Sequence, residues 1–194
     1  MIKRRAIIAF LALTMVAVMS SGALYAYFND TETSSGNSFT AGTIDLTVDA
    51  QNPWAATAFT AENLVPGSTG FKTMLLTNAG NSPGTLTGRL TNINNGAGST
   101  PEPEALLGTD AGELGDNMMI TVWVDSNSNG IVDGTETTAY TGTVNSATTS
   151  WNLGSLAGGA TSKVSVKYLV PTSVGNVIQG DICTFSIEFT LTQT

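Results

Sequence analysis

The sequence contains no histidine and only one cysteine. Without histidine, the chain lacks the imidazole that Ser-His-Asp and Cys-His catalytic groups use, and it lacks the commonest nitrogen ligand of zinc. A single cysteine, Cys183, excludes an intramolecular disulfide and also excludes zinc or iron–sulfur sites built on several cysteines. Because these absences remove the best-known routes to hydrolytic chemistry, we expect that the protein is not an enzyme.

Basic residues are also scarce, with seven Lys and Arg against fifteen Asp and Glu and a net charge of −8. Three of the seven, Lys3, Arg4 and Arg5, lie together at the N-terminus. The rest of the chain is therefore strongly acidic. A surface of that sign repels phosphate backbones, so the composition predicts no binding to nucleic acid.

The N-terminal segment has the pattern of an export signal. A positively charged start is followed by an apolar run over residues 6–18 and then by small residues. This run is shorter than the roughly 20 residues that a membrane helix needs, so we expect signal peptidase to remove the segment during export. Cleavage after Ala23 and cleavage after Ala26 both fit the pattern. An uncleaved membrane anchor is the alternative, and it would be the protein's one contact with a membrane.

The remainder of the chain is predicted to be all-β. Short segments alternate between apolar and polar residues, as half-buried strands do, and turns rich in Gly, Pro and Asn separate them. Such a pattern favours an antiparallel β-sandwich of the jelly-roll type. The segments with the clearest alternation are residues 43–48, 118–124, 163–170 and 183–191, and the weaker ones are residues 71–77, 85–91 and 137–144.

Between the predicted strands, residues 92–109 are expected to form the longest irregular insertion, with a short helix near residues 102–107. The PEPE tract at residues 101–104 within it is expected to be solvated. Cys183 lies on one strand face with Phe185 and is expected to be a buried small hydrophobe. Trp123 lies on the strand face opposite Ile120, where it would either be covered by a second layer or form a contact surface.

One loop carries a metal-binding pattern. Residues 125–136 read DSNSNGIVDGTE, which matches the calcium loop that needs oxygen ligands at positions 1, 3, 5, 7, 9 and 12 and glycine at position 6. Predicted strands flank the loop, so the calcium would have a structural role between strands. A turn that binds nothing is the alternative, because Asn, Gly and Ser favour turns in any case. The predicted ligands are Asp125, Asn127, Asn129, the carbonyl of Ile131, Asp133 and Glu136, with Gly130 at position 6.

Several short motifs resemble one known family. AYFND at residues 26–30, FTAGTIDL at residues 39–46 and NLVPG at residues 63–67 are similar to the corresponding segments of the TasA/camelysin (CalY) family, which includes archaeal bundling-pilus subunits. Less specific matches are the Asn-x-Gly turn at residues 78–80 and the terminal strand at residues 185–193. These matching segments lie along nearly the whole chain, although residues 92–152 contain none.

The resemblance implies a secreted subunit of extracellular fibres, either of biofilm matrix or of bundling pili. It places the cleavage between Ala26 and Tyr27, which divides the chain into a signal peptide (residues 1–26), an N-terminal donor segment (residues 27–42) and a sandwich domain (residues 43–194). In such fibres the donor segment of one copy adds as a strand to the next copy, head to tail. The implied donor residues are Tyr27, Phe28, Asn29 and Asp30.

Three other functions compete with the fibre subunit. A monomeric, calcium-stabilised surface or adhesin domain needs no free N-terminal segment. A type-IV-like pilin would keep its apolar helix, but the run lacks the acidic residue that such pilins usually keep near their N-terminus. Camelysin is classed as a metallopeptidase, yet this chain has neither histidine nor an H-E-x-x-H motif to support that activity.

Overall fold

The computed structural model describes residues 2–22, 40–54, 61–99, 104 and 106–194. The chain divides into two units, residues 1–40 and residues 41–194. In the first unit, the helix α1 (Ile2–Gly22) contains the basic start and the apolar run. No helix among the described residues combines the length and the apolarity that crossing a membrane requires. Cleavage at Ala26 stays a prediction, because that position lies outside the described residues.

The second unit is built almost entirely of β-strands. Between β3 and β4 it contains the short helix α2 (Leu114–Asn117), and before β8 it contains a 3-10 helix (Asn176–Ile178). The strands are β1 (Leu46–Val48), β2 (Thr69–Asn78), β3 (Gly84–Gly96), β4 (Met119–Val124), β5 (Thr138–Thr143), β6 (Trp151–Leu156), β7 (Thr161–Leu169) and β8 (Ile182–Gln193).

These strands form two antiparallel sheets. One sheet has five strands in the order β1-β2-β7-β4-β5, and the other has three in the order β6-β3-β8. Alternate residues of β2, such as Met74 and Leu76, are buried between the sheets, as are Leu86 and Leu90 of β3. The predicted all-β antiparallel sandwich is thus confirmed, and its core lies where the apolar faces of the two sheets meet.

Strand β8 lies at one edge of the three-stranded sheet and pairs with β3 alone among the described strands. Its residues alternate between exposed and half-buried along most of its length. The half-buried apolar residues of this strand are Cys183, Phe185, Ile187 and Phe189, and they pack against the core. The burial of Cys183 that the sequence predicts is therefore only partial.

The structure corrects three expectations. Residues 92–96 are not irregular, because β3 continues through them to Gly96. Strand β6 was not expected, and the reason is a bulge: Gly154 has φ +93°, and the register with β3 shifts there. Leu153 and Leu156 are consequently three residues apart yet both buried, which hides the alternation that marks a strand. The predicted helix near residues 102–107 falls largely outside the described residues.

The third correction concerns the PEPE tract. Its last residue, Glu104, is 3% exposed and therefore buried, where the sequence predicts a solvated loop. The rest of the tract lies outside the described residues. A buried carboxylate needs a partner to offset its loss of hydration, so Glu104 is a candidate for function.

Candidate metal sites

The 125–136 loop connects β4 to β5 and begins inside the protein. Asp125 is fully buried, and its backbone amide donates to the carbonyl of Lys163 on β7 over 2.9 Å. The first residue of the loop therefore continues the pairing between β4 and β7 that ends at Val124. This pairing fixes the direction in which the Asp125 side chain enters the loop.

The carboxylate of Asp125 organises the first half of the loop. Its Oδ2 accepts hydrogen bonds from Ser165 Oγ at 2.6 Å and from the amide of Gly130 at 3.1 Å. Its Oδ1 accepts a longer one from the amide of Asn129 at 3.3 Å. The bond from position 1 to the amide of Gly130 at position 6 bends the chain around the centre where the pattern places the metal.

Gly130 is required at this bend for two reasons. Its φ is +71°, a left-handed conformation that other residues adopt only with strain. In addition, the ring of Phe71 on β2 occupies the space that a Cβ at position 130 would need. The glycine thus lets the loop turn back onto the outer face of the five-stranded sheet.

Burial and hydrogen bonding act in opposite directions on Asp125. Burial disfavours the charged carboxylate, which by itself raises the pKa. The hydrogen bonds from Ser165 and from the backbone amides of Gly130, Ser128 and Asn129 outweigh it, and the pKa of Asp125 lies below its usual value. The loop therefore holds a buried negative charge.

The middle of the loop brings three more of the predicted ligands together. The side-chain amide of Asn129 donates to Asp133 Oδ2 over 2.7 Å, and that of Asn127 contacts the same carboxylate at 3.3 and 3.4 Å. The Oδ1 atoms of the two asparagines accept backbone amides, from Asn129 at 2.9 Å and from Ile131 at 2.8 Å. These oxygens keep a second lone pair that a cation could use.

Glu136 at position 12 closes the loop onto its beginning. Its Oε1 accepts from the amide and the hydroxyl of Ser126, at 2.9 and 3.0 Å, and its Oε2 accepts from the amide of Asp133 at 3.3 Å. The side chains predicted as ligands thus form one hydrogen-bonded network. All of them offer the hard oxygen donors that calcium prefers, so the residues fit the ion.

The loop packs beside a buried tryptophan. Trp123 of β4 lies opposite Ser165 of β7, and both are fully buried. Thr73 of β2 continues this row, with its Oγ1 2.6 Å from Ser165 Oγ. Of the two interpretations that the sequence left open, the structure therefore favours a covered Trp123.

A second group of acidic residues lies elsewhere. Within the described part of the chain, one set of acidic side chains has oxygens that all lie within 4.8 Å of one another. This set does not include the three carboxylates of the 125–136 loop. Sequence reasoning missed this group, because its members come from the connection between β3 and α2 and from the turn before β8. Its members are Glu104, Asp110, Glu113 and Asp181.

Comparison with known proteins finds a similarity in the N-terminal part of the chain. Residues 1–87 match a family model described as camelysin metallo-endopeptidase. A search of curated proteins finds no match. The family's description names a metal-dependent peptidase, while both acidic sites described above lie beyond the matched residues. The resemblance of residues 26–46 and 63–67 to the TasA/camelysin family is confirmed by this match, which covers residues 1–87.

Proposed function

We propose that the protein is a secreted structural subunit of extracellular fibres or bundling pili, assembled by donation of its N-terminal segment to a neighbouring copy. The family match over residues 1–87 supports a secreted subunit of this type. The observation that carries the assembly mechanism is the edge strand β8, which pairs with β3 alone among the described strands.

Strand β8 has the properties of an acceptor. It is twelve residues long, so its outer edge offers a long row of backbone donors and acceptors. Phe185, Ile187 and Phe189 on its inner face are only half-buried, and Trp54 covers part of this row with its ring centroid 6.0 Å from that of Phe189. An added strand would bury these apolar side chains further while pairing with the edge.

The donor is the segment that follows the predicted cleavage site. Residues 27–37 lie outside the described residues, and their role is inferred from the sequence. The segment is rich in Thr and Ser, and Tyr27 and Phe28 are its only large apolar residues. Its ordering must therefore come mainly from backbone pairing, which a sheet edge supplies. Donation from one copy to the next does not close on itself and gives a filament.

Calcium has a structural role in this proposal. The 125–136 loop ties β4 and β5 to β7 through Asp125, and an ion held by its oxygens would stiffen that end of the five-stranded sheet. With three carboxylates and two side-chain amides, we expect an affinity in the class of extracellular modules, with Kd about 10⁻⁴ to 10⁻³ M. A secreted protein meets calcium at such concentrations.

We do not assign the peptidase activity of the family's description to this chain. The sequence has no histidine, so a metal here would be held by oxygen ligands. The candidate ligands in the loop already bond to one another and to backbone amides of the same loop. Such an arrangement suits a structural ion.

Hydrogen–deuterium exchange on assembled filaments tests the mechanism. Amides of β8 should become protected on assembly, whereas those of β5, at an edge of the other sheet, should exchange as in the monomer. A synthetic peptide of residues 27–37, added in excess, should occupy the acceptor edge and shorten the filaments. A peptide of the same composition in scrambled order is the control.

Deletion of residues 27–37 is a second test of strand donation. The truncated chain should remain a folded monomer and should not polymerise. Replacement of Thr33 by Pro in the full chain should weaken polymerisation if the Thr33 amide faces the acceptor strand, because proline removes that donor. Filaments of normal width from the truncated chain would overturn strand donation and favour a monomeric surface domain.

A further inference from the structure

Four carboxylates from two chain segments meet beside the short helix α2. Glu104 and Asp110 come from the connection after β3, Glu113 immediately precedes α2, and Asp181 immediately precedes β8. One oxygen of each lies within 4.8 Å of one oxygen of every other member. So many like charges at this separation repel one another strongly unless a cation or a proton lies among them.

Glu104 is the member that points to a ligand. It is 3% exposed, and neither of its carboxylate oxygens has a hydrogen-bond partner in the described part of the chain. Burying a carboxylate in this state is costly, and buried charges in proteins are normally paired or coordinate a metal. Its oxygen nonetheless lies among those of the other three acids.

Asp181 also has one carboxylate oxygen without a hydrogen-bond partner among the described residues. Its Oδ2 accepts the backbone amide of Leu114 at 2.8 Å, which fixes the side chain against α2. Its Oδ1 is buried and has no hydrogen-bond partner among the described residues. Two of the four acids therefore present buried oxygens whose bonding capacity is not used.

The electrostatics of the group agree with a missing positive charge. Burial raises the pKa of Glu104, the charges of Asp110, Asp181 and Glu113 raise it further, and the backbone of Gln179 has a smaller, opposite effect. Burial also raises the pKa of Asp181 and outweighs the hydrogen bonds from the backbone amides of Leu114 and Glu113, which lower it, while the charges of Asp110 and Glu113 raise it further. The charged side chains that act on these two groups are all acids. A divalent cation would reverse each of these effects.

We propose that Glu104, Asp110, Glu113 and Asp181 bind a divalent cation of the calcium class, at a site separate from the 125–136 loop. Calcium takes six to eight oxygen ligands at about 2.3–2.6 Å, so two ligands of one ion lie at most about 5 Å apart. The 4.8 Å limit within the group meets this condition. A cavity of about 90 Å³ that Glu104, Asp110 and Glu113 help to line leaves room for water to complete the coordination.

The ion would have a defined mechanical role. It would join the connection after β3 to the chain immediately before β8, next to α2, which itself contacts β8 and the 3-10 helix. The site thus anchors the beginning of the strand that the proposed function uses as acceptor. Its existence does not depend on that function, since it rests on the four side chains alone.

The experiment measures calcium uptake by the full chain with the loop site silenced. In a chain carrying Asp133→Asn and Glu136→Gln, equilibrium dialysis against calcium chloride should still give one bound ion. Adding Glu104→Gln and Asp181→Asn should weaken that binding at least tenfold. Glu62→Gln, which removes one exposed acid elsewhere, is the matched control and should leave uptake unchanged.

Thermal unfolding separates a ligand from a structural residue. In EDTA, Glu104→Gln should raise the Tm or leave it unchanged, because it relieves repulsion among the four acids. With calcium added, Glu104→Gln in the loop-silenced chain should abolish the rise in Tm that the loop-silenced chain itself shows.

Three results would overturn the proposal. The first is no calcium uptake by the folded, loop-silenced chain, and the second is equal uptake after Glu104→Gln and Asp181→Asn. The third is a lower Tm of Glu104→Gln in EDTA together with an unchanged calcium response.

Discussion

The hydroxyl of Ser165 donates a hydrogen bond of 2.6 Å to Oδ2 of Asp125, and both residues are fully buried. The carboxylate of Asp125 is ionised and can only accept hydrogen bonds, so the single hydroxyl hydrogen of Ser165 must be donated to it. The 2.6 Å contact between Ser165 and Thr73 is then a donation from Thr73. A directed row of hydrogen bonds therefore runs from Thr73 on β2 through Ser165 on β7 to Asp125, the first residue of the 125–136 loop.

Replacing Ser165 by Ala should destabilise the protein by about 1–3 kcal/mol, since a buried carboxylate loses a donor. Urea unfolding measures this change. Thr73→Val is the control: it removes a donor to Ser165 but leaves the bond to Asp125, and its cost should be smaller. Equal losses in the two variants would show that the Ser165–Asp125 bond is not the critical one.

Millimolar calcium should raise the Tm through the 125–136 loop, because a ligand that binds only the folded state stabilises it by mass action. At an affinity of about 10⁻⁴ to 10⁻³ M, a few millimolar calcium gives about 1–2 kcal/mol. In a Glu104→Gln background, which silences the second site, changing Asp125 and Glu136 to Ala should abolish the rise. An undiminished rise would mean that the loop binds no calcium.

Gly130→Ala should destabilise the protein more than Gly134→Ala does. Both glycines have positive φ, +71° and +52°, so both substitutions introduce backbone strain of about 1 kcal/mol or more. Only at Gly130 does the new methyl group meet the ring of Phe71, whereas a Cβ at Gly134 meets nothing within 4 Å. Chemical denaturation of the two variants compares them directly, and a larger loss at Gly134 would contradict the packing described here.

The thiol of Cys183 should react slowly in the folded protein. Burial, followed by the charges of Asp116 and Asp181, raises its pKa to about 11 from an ordinary value of 9.0. A raised pKa means that less thiolate is present at a given pH, and the thiolate is the nucleophile. The rate of alkylation by iodoacetamide should therefore rise with pH toward a midpoint near 11 in the native protein and near 9 in urea. Coincident midpoints would contradict this.

We predict that signal peptidase leaves a mature protein that begins at Tyr27. The short apolar run and the AYF sequence around residue 27 predict cleavage after Ala26. Mass spectrometry of the N-terminal peptide from extracellular material checks the position. Recovery of residues 6–20 in that material would favour an uncleaved anchor.

How far the sequence predicts the structure depends on the range of the contacts involved. The predicted ligands from Asp125 to Glu136 lie within one segment, so their spacing alone could suggest a common site. The structure joins their side chains in one hydrogen-bonded network, and calcium binding there stays a prediction. Strands with regular alternation, such as β4 and β7, were predicted for the same reason. The bulge at Gly154 hides β6, because it changes which residues face inward. Glu104 could not be placed near Asp181, since no local pattern relates two residues that tertiary folding brings together.

The central pairings of both sheets join distant parts of the chain. In the three-stranded sheet, Arg89 and Glu188 form an ion pair of 2.8 Å across β3 and β8 although 99 residues separate them in sequence. In the five-stranded sheet, Thr69 on β2 pairs with Leu169 on β7. Neither sheet can be completed until nearly the whole chain is available, and topologies of this kind fold in milliseconds to seconds. If the chain is exported, as its N-terminal pattern predicts, slow folding would keep it extended during transfer across the membrane. The five-stranded sheet could then be completed only after β7 has emerged, and the three-stranded sheet only after β8 has.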